Sequence, residues 1–128
     1  MATAPAFAAT PGAGVTAITA TANTGRDGTG TVTAIVAGHA NGGTVSRLTI
    51  SATGTTTAGQ VRIFCKIGAV YAMIKEIAVS AITPSATVQA FRDQIVFDPP
   101  LILAANESIV ASTEKAEAFV CKAEWGNF

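Results

Sequence analysis

The sequence has almost no histidine: His39 is the only one among 128 residues, and there are only two cysteines. A metal-dependent β-barrel enzyme needs several imidazoles and carboxylates that converge on one ion, and a serine or cysteine nucleophile needs a histidine base. His39 lies in "GHANGGT", a segment typical of a solvated turn. We therefore expect a protein that is not an enzyme and that holds neither a metal nor another cofactor.

Charged residues are also scarce. They make up 12% of the sequence, and eight acids balance eight bases, so the formal net charge is zero; soluble domains usually reach roughly 25%. A neutral chain has no long-range field to attract a nucleic acid or an anionic membrane, so we expect neither as a partner. Low charge protects an isolated monomer poorly against association, which favours a subunit that packs against other subunits.

The N-terminal segment lacks both charge and a long apolar run. Residues 1–13, "MATAPAFAATPGA", contain no Lys or Arg and are interrupted by Pro5 and Pro11, so we expect neither a signal peptide nor a membrane anchor. We interpret residues 1–13 as an extended arm and residues 14–128 as one domain. The arm either frays in solvent or docks on a neighbour, with Phe7 and Pro11 as candidate contacts.

The remaining sequence is dominated by a period of two. Apolar and polar residues alternate in "TVTAIVA", "RLTISA", "VRIFCKI" and "AFVCKAEW", which is typical of half-buried antiparallel strands. "AVYAMIKEIAV" fits a helix or a strand, and its setting favours the strand. Turn signals such as "GHANGGT" and "ITPSA" separate the segments. The predicted strands lie near residues 14–21, 30–37, 44–52, 60–66, 69–79, 86–91, 94–97, 101–104, 108–113 and 117–125, with two expected to merge or fail.

About eight short strands in one domain, with no internal repeat, predict an all-β fold. We expect an antiparallel β-sandwich of the jelly-roll type, formed by two sheets, with the N-terminal arm extending from it. Eight carboxylates are present, but nothing in their spacing nominates the pair of acids that a glycosidase needs, and only eight residues are aromatic.

Two Gly-rich segments are candidate contact loops. "GRDGTG" is followed by a strand rather than by the helix of a phosphate-binding loop, so we interpret Asp27-Gly28 as a tight hairpin turn that exposes Arg26 and Asp27. In "ATGTTTAG", the hydroxyls of Thr55, Thr56 and Thr57 either bond to a partner or face solvent as in any surface loop.

Cys65 and Cys121 lie on the apolar side of their strands. A buried free cysteine behaves as a small hydrophobic residue, and this interpretation is favoured over a disulfide. A disulfide within the chain or between chains remains an alternative, because the sequence does not choose between them.

From about Thr21 to Phe128 the chain resembles small proteins encoded beside head genes in tailed bacteriophages and prophages. The similarity lies in "TANTGRDGTGTVTAIVAG", "ATGTTTAGQVRIFC", "EIAVSAITPSATVQAF", "PPLILAANESIVAST" and "AEAFVCKAEWGNF". The sequence departs from the family pattern at "AANES", where a Gly-containing turn is expected, and at both cysteines, which replace β-branched core residues.

The resemblance implies a head decoration (cement) protein, made in the host cytoplasm and located on the capsid exterior of the virion. It also implies a homotrimer whose partner is the major capsid protein, and whose task is to bridge and stabilise neighbouring coat subunits. The alternative is a receptor- or glycan-binding β-sandwich of a phage tail or spike, which predicts a groove lined with exposed aromatic side chains.

Overall fold

The computed structural model of the chain describes residues 10–128, and within this range it contains eight strands and no helix. The strands are β1 (Thr10–Ile18), β2 (Thr33–Val36), β3 (Gly43–Ala52), β4 (Gly59–Ile67), β5 (Val70–Val79), β6 (Arg92–Leu103), β7 (Ser108–Thr113) and β8 (Phe119–Asn127). The predicted all-β class is confirmed. The ambiguous segment "AVYAMIKEIAV" forms β5, as the strand alternative requires.

The strands form two antiparallel sheets of four, which confirms the β-sandwich. Sheet 1 has the order β1-β8-β3-β6, and sheet 2 has the order β2-β7-β4-β5. Only the β4–β5 hairpin stays within one sheet; every other connection between consecutive strands crosses to the opposite sheet. The assignment to the jelly-roll type stays a prediction, with which this strand order is compatible.

The core lies between the sheets and is built by the inward residues of the alternating segments. Leu48, Ile50, Val61, Ile63 and Ile109 are fully buried, and each such side chain contributes about 1.5–3 kcal/mol by leaving water. At one end of the sandwich, the Trp125 indole lies against two glycines of β1; a Cβ on Gly12 would come within 2.8 Å of Trp125 Cε2. Glycine in β1 therefore makes room for the one tryptophan.

The strands differ from the prediction most at three places, and the bounds of β2 and β8 are displaced by one to three residues. β1 begins at Thr10, so residues 10–13 pair with β8 instead of belonging to the arm. The predicted strands at 94–97 and 101–104 are merged, because "FDPP" lies inside β6 rather than ending it. The predicted strand at 86–91 is wrong: Ser85 Oγ accepts hydrogen bonds from the amides of Thr87 and Val88, and this local turn competes with a strand ladder.

The expected hairpin at Asp27-Gly28 is also wrong, although the turn itself is present. Gly28 has φ +87°, and Asp27 Oδ1 accepts hydrogen bonds from the Thr29 amide and hydroxyl at 3.1 and 2.6 Å. The flanking strands β1 and β2 belong to different sheets. We call their connection, residues 19–32, the strap. Near the start of the strap, the backbone N–H of Asn23 donates to the Thr113 carbonyl at 2.9 Å. This bond attaches the strap to β7.

Candidate functional site

The centre of the outer surface of sheet 2 is covered by the chain itself. The strap lies over β4 and β7, where four outward-facing residues are buried: Arg62, Phe64, Val110 and Ser112. Gly28 packs directly against the Tyr71 ring, where a Cβ would overlap Cγ. Tyr71 in turn packs edge-on against Phe64 at 6.2 Å. The strap therefore buries the centre of this face, at β4 and β7, whereas the outward-facing Ala34 of β2 and Met73 and Ala78 of β5 stay exposed.

Arg62 holds the strap to the sheet through a buried ionic network. Its side chain is 0% exposed, its Nε donates to Glu76 Oε1 at 2.8 Å, and its Nη1 donates to the Asn23 carbonyl at 3.1 Å. Arg62 Nη2 lies 3.6 Å from Glu114 Oε1, too far for a hydrogen bond. Arg26 of the strap reaches the same Glu76 oxygen at 2.8 Å. The network thus connects the strap, β4, β5 and the segment after β7.

The hydrogen bond from Arg62, and next the one from Arg26, lower the pKa of the Glu76 carboxyl. The carboxylate is therefore ionised throughout the neutral range and compensates the buried guanidinium. The alternation places Arg62 on the polar side of β4, which is expected to face solvent. Sequence reasoning therefore missed its burial. Phe64, two positions further on the same side, is the one signal that this side is covered too.

The two strap residues nominated as contacts are exposed, but both make bonds within the chain. The Arg26 side chain is 59% exposed and is held by Glu76. Hydrogen bonds from the Thr29 hydroxyl and then from its amide lower the pKa of Asp27. The exposure of Arg26 and Asp27 agrees with a contact role. Their bonds within the chain also hold the strap in its position.

The threonine loop holds one correction. Thr56 is buried, its hydroxyl donates to the Ser80 carbonyl at 2.7 Å, and its backbone pairs with Ile82. The expectation that Thr56 is exposed is therefore wrong, and its hydroxyl is not available to a partner. Thr55 and Thr57 are exposed. The Thr57 amide and hydroxyl both donate to the Glu117 carboxylate, at 2.8 and 2.7 Å.

The outer surface of sheet 1 differs, because no described residue covers it. Its outward-facing residues that pair in register form four rows across the strand order β1-β8-β3-β6, and all are exposed or half-buried except Gly126. Ser46 of β3 and residues 97–100 of β6 lie between the first two rows and have no register partner. The rows are Pro11, Gly126, Thr44 and Ile102; Ala13, Glu124, Arg47 and Val96; Val15, Lys122, Thr49 and Gln94; and Ala17, Val120, Ser51 and Arg92. We call these residues the bare face.

Pro11 is the only nominated contact residue on the bare face. It lies opposite Gly126 in the first row and is exposed. Phe7 lies outside the described residues. Sequence reasoning missed the remainder of this face, because alternation identifies the polar side of a strand but does not show whether another segment covers that side.

Both cysteines are buried free thiols in the structure. Cys65 belongs to sheet 2 and Cys121 to sheet 1, and both lie in the hydrophobic core. Burial raises the pKa of Cys121 to about 11. Burial, with a smaller effect of Glu107, raises the pKa of Cys65 to about 12. Since the thiolate is the reactive form, the folded protein suppresses the reactivity of both groups.

The raised pKa of Cys121 predicts a loss of stability in alkali. The folded state keeps this thiol protonated up to pH 11, whereas the unfolded chain loses the proton near pH 9. The free energy of unfolding should therefore fall between pH 9 and pH 11, by up to about 3 kcal/mol for this group at about 1.4 kcal/mol per pH unit. Urea unfolding of the wild type and of Cys121→Ala at each pH measures it. The free energy of unfolding of Cys121→Ala should fall less steeply with pH than that of the wild type. Parallel pH curves for the two proteins would contradict a raised pKa of Cys121.

The described residues contain no enclosed pocket and no cluster of three or more His, Cys, Asp or Glu side chains that could hold a metal ion. None of them forms a helix that is long and apolar enough to cross a membrane. The surfaces of residues 10–128 that are open to a partner include the bare face, the tip of the strap, the loop around Thr55 and Thr57, and the β4–β5 hairpin with its exposed Ile67, Val70 and Met73.

A scan against protein-family models found no match for the chain, and a search of curated proteins found no relative.

Proposed function

We propose that the protein is a capsid decoration (cement) protein that binds the outside of a phage head and bridges neighbouring major capsid subunits. The observation that supports this best is the asymmetry of the sandwich. The strap covers the centre of one outer sheet face, over β4 and β7, whereas no described residue covers the other, which carries mostly small and β-branched side chains. A protein that acts by contact area needs such a face and no pocket.

The type of exposed apolar residue favours this proposal over a glycan-binding module. The large hydrophobic residues that are exposed among residues 10–128 are all aliphatic; they are Val15, Ile67, Val70, Met73, Val88, Val96 and Ile102. Sugar binding relies on aromatic platforms, and Trp125 is directed at Gly12 and Gly14 rather than into a groove. Aliphatic and threonine-rich surface suits contact with protein.

In this proposal the protein acts as a homotrimer on the capsid exterior. A trimer presents three bare faces to a repeating shell, and several weak contacts then act together, because binding of one copy raises the effective concentration of the others. The near-neutral chain needs no charge attraction to DNA, which lies inside the shell. Binding across the boundaries between coat subunits would resist the outward pressure of the packaged genome.

The proposal is tested with shells assembled without the protein. We expect the purified protein to have the light-scattering mass of a trimer, to co-sediment with these shells to saturation, and to raise their melting temperature. Bovine serum albumin at the same concentration is the control for trapping in the pellet. A protein that stays in the supernatant at micromolar concentration would overturn the proposal, and a positive glycan-array signal would support the tail or spike alternative.

A further inference from the structure

The bare face carries an excess of positive charge. Its charged members in the four rows are Arg47, Arg92 and Lys122 against one carboxylate, Glu124, which gives three minus one, or +2 for these rows. A second carboxylate, Asp98, is exposed in the unpaired part of β6 at the edge of the sheet. Arg47 Nε binds Glu124 Oε2 at 2.9 Å, whereas Arg92 and Lys122 form no ion pair with any described residue. Because the whole chain has a formal net charge of zero, the remainder of the molecule carries −2.

We propose that the bare face is the docking face and that its partner is a flat, acidic protein surface. This inference rests on the proposed function, within which the partner surface belongs to the coat shell. Lys122 lies near the centre of the face, beside Val15 and Thr49, and Arg92 lies at its edge in β6. Two unpaired cations on a flat surface are complementary to carboxylates that have the same spacing on the partner.

The exposed aliphatic residues supply the apolar part of this contact. Val15 is 70% exposed, Val96 62% and Ile102 70%. They lie in three different rows of the face and on its two edge strands, β1 and β6. Covering these side chains would remove apolar surface from water, which favours binding. The cations then fix the register while the aliphatic groups add affinity.

A second copy of the chain fits this face less well than an acidic partner. Two-fold packing of the bare face on itself would oppose like charges, because each copy contributes +2. Four strands about 4.8 Å apart and four rows about 6.7 Å apart give about 19 by 27 Å, or about 500 Å². A stable interface buries about 800 Å² on each partner. The bare face alone therefore suits a weak contact that is repeated on a lattice.

Charge reversal at the centre of the face tests the inference. We expect Lys122→Glu to weaken co-sedimentation with shells that lack the protein by at least tenfold at 50 mM NaCl. The matched control is Lys75→Glu, which makes the same change at an exposed position of β5 in sheet 2 and should change binding by less than twofold. Raising NaCl to 300 mM should weaken wild-type binding and should narrow the difference between wild type and Lys122→Glu.

A second measurement keeps the test valid if Lys122→Glu folds poorly. Acetylation of the wild-type protein bound to shells should proceed more slowly at Lys122 than in the free protein, and at an unchanged rate at Lys75. Equal acetylation rates at Lys122 in the two states, or equal binding by both variants, would overturn the bare-face inference while leaving the decoration function in place. Failure of the wild type to bind shells would instead overturn the proposed function. Dissociation of the oligomer by Lys122→Glu would assign the face to a second copy.

Discussion

Replacement of Arg62 by alanine should lower the free energy of unfolding by about 3 kcal/mol, whereas Arg47→Ala should cost less than about 1 kcal/mol. Each arginine binds a glutamate through Nε, at 2.8 Å for Arg62 and 2.9 Å for Arg47. The side chain of Arg62 is 0% exposed and that of Arg47 is 46% exposed. The two variants therefore compare the same ion pair in a buried and in a solvated setting.

The cost at Arg62 has two physical sources. The truncation leaves a cavity beneath the strap, and it removes the hydrogen bond to the Asn23 carbonyl and the cation between Glu76 and Glu114. Arg62→Met fills most of the volume without the charge, so we expect it to lose about half as much as Arg62→Ala. Urea unfolding followed by circular dichroism measures all three variants. Equal losses for Arg62→Ala and Arg47→Ala would show that the network does not stabilise the fold.

The pH dependence separates the ionic part from the packing part. The pKa of Glu76 is lowered in the folded state, first by Arg62 and then by Arg26. A carboxyl with a lowered pKa contributes stability above its ordinary value of 4.5, and this contribution is lost as the pH falls towards the folded pKa. The gap between wild type and Arg62→Met should therefore be widest at pH 6–7 and should narrow below about pH 4. A gap that stays constant across this range would assign the whole effect to packing.

Gly28→Ala is expected to lower the free energy of unfolding by about 2–4 kcal/mol, because two costs act together. The residue has φ +87°, which an L side chain rarely adopts, and its Cβ would overlap the Tyr71 ring. Gly68→Ala is the matched control: its φ is +59°, but nothing lies within 4 Å of a Cβ there. The control carries only the backbone cost and should lose about 1 kcal/mol.

The overlap with Tyr71 can be isolated by a double-mutant cycle. Tyr71→Ala removes the ring that the new methyl group would meet, so the double variant Gly28→Ala/Tyr71→Ala should lose less stability than the sum of the two single variants. Thermal unfolding of the four proteins gives the coupling. Additive losses, or equal losses for Gly28→Ala and Gly68→Ala, would show that the strap does not pack on Tyr71 in solution.

The Arg62 and Gly28 variants, compared with Lys122→Glu, also test whether the outer faces of the two sheets have different roles. If the strap is a structural cover, the Arg62 and Gly28 variants should change stability, and any that remain folded should still bind shells. The bare-face variant Lys122→Glu should do the reverse. This separation connects the stability measurements with the proposed function, because it assigns one outer face to folding and the other to contact.

The sequence alone determined the features that depend on local order along the chain. The period of two placed β3, β4, β5 and β7 to within one residue or two at each end, because alternation is a property of a single strand and its two faces. It also placed Cys65 and Cys121 among inward-facing neighbours.

Only the tertiary structure decided which polar side of a strand is buried. Arg62 lies on the polar side of β4, yet the strap covers it. Thr56 lies in a polar loop, yet its backbone pairs with that of Ile82. The Asn23–Arg62 contact joins positions 39 apart, and the Arg26–Glu76 contact joins positions 50 apart, so no local pattern records them. Residues 19–32 lie over the centre of sheet 2, and no described residue lies over the outer face of sheet 1. Which face a connection covers depends on its path in three dimensions, and the alternation within a strand does not record that path.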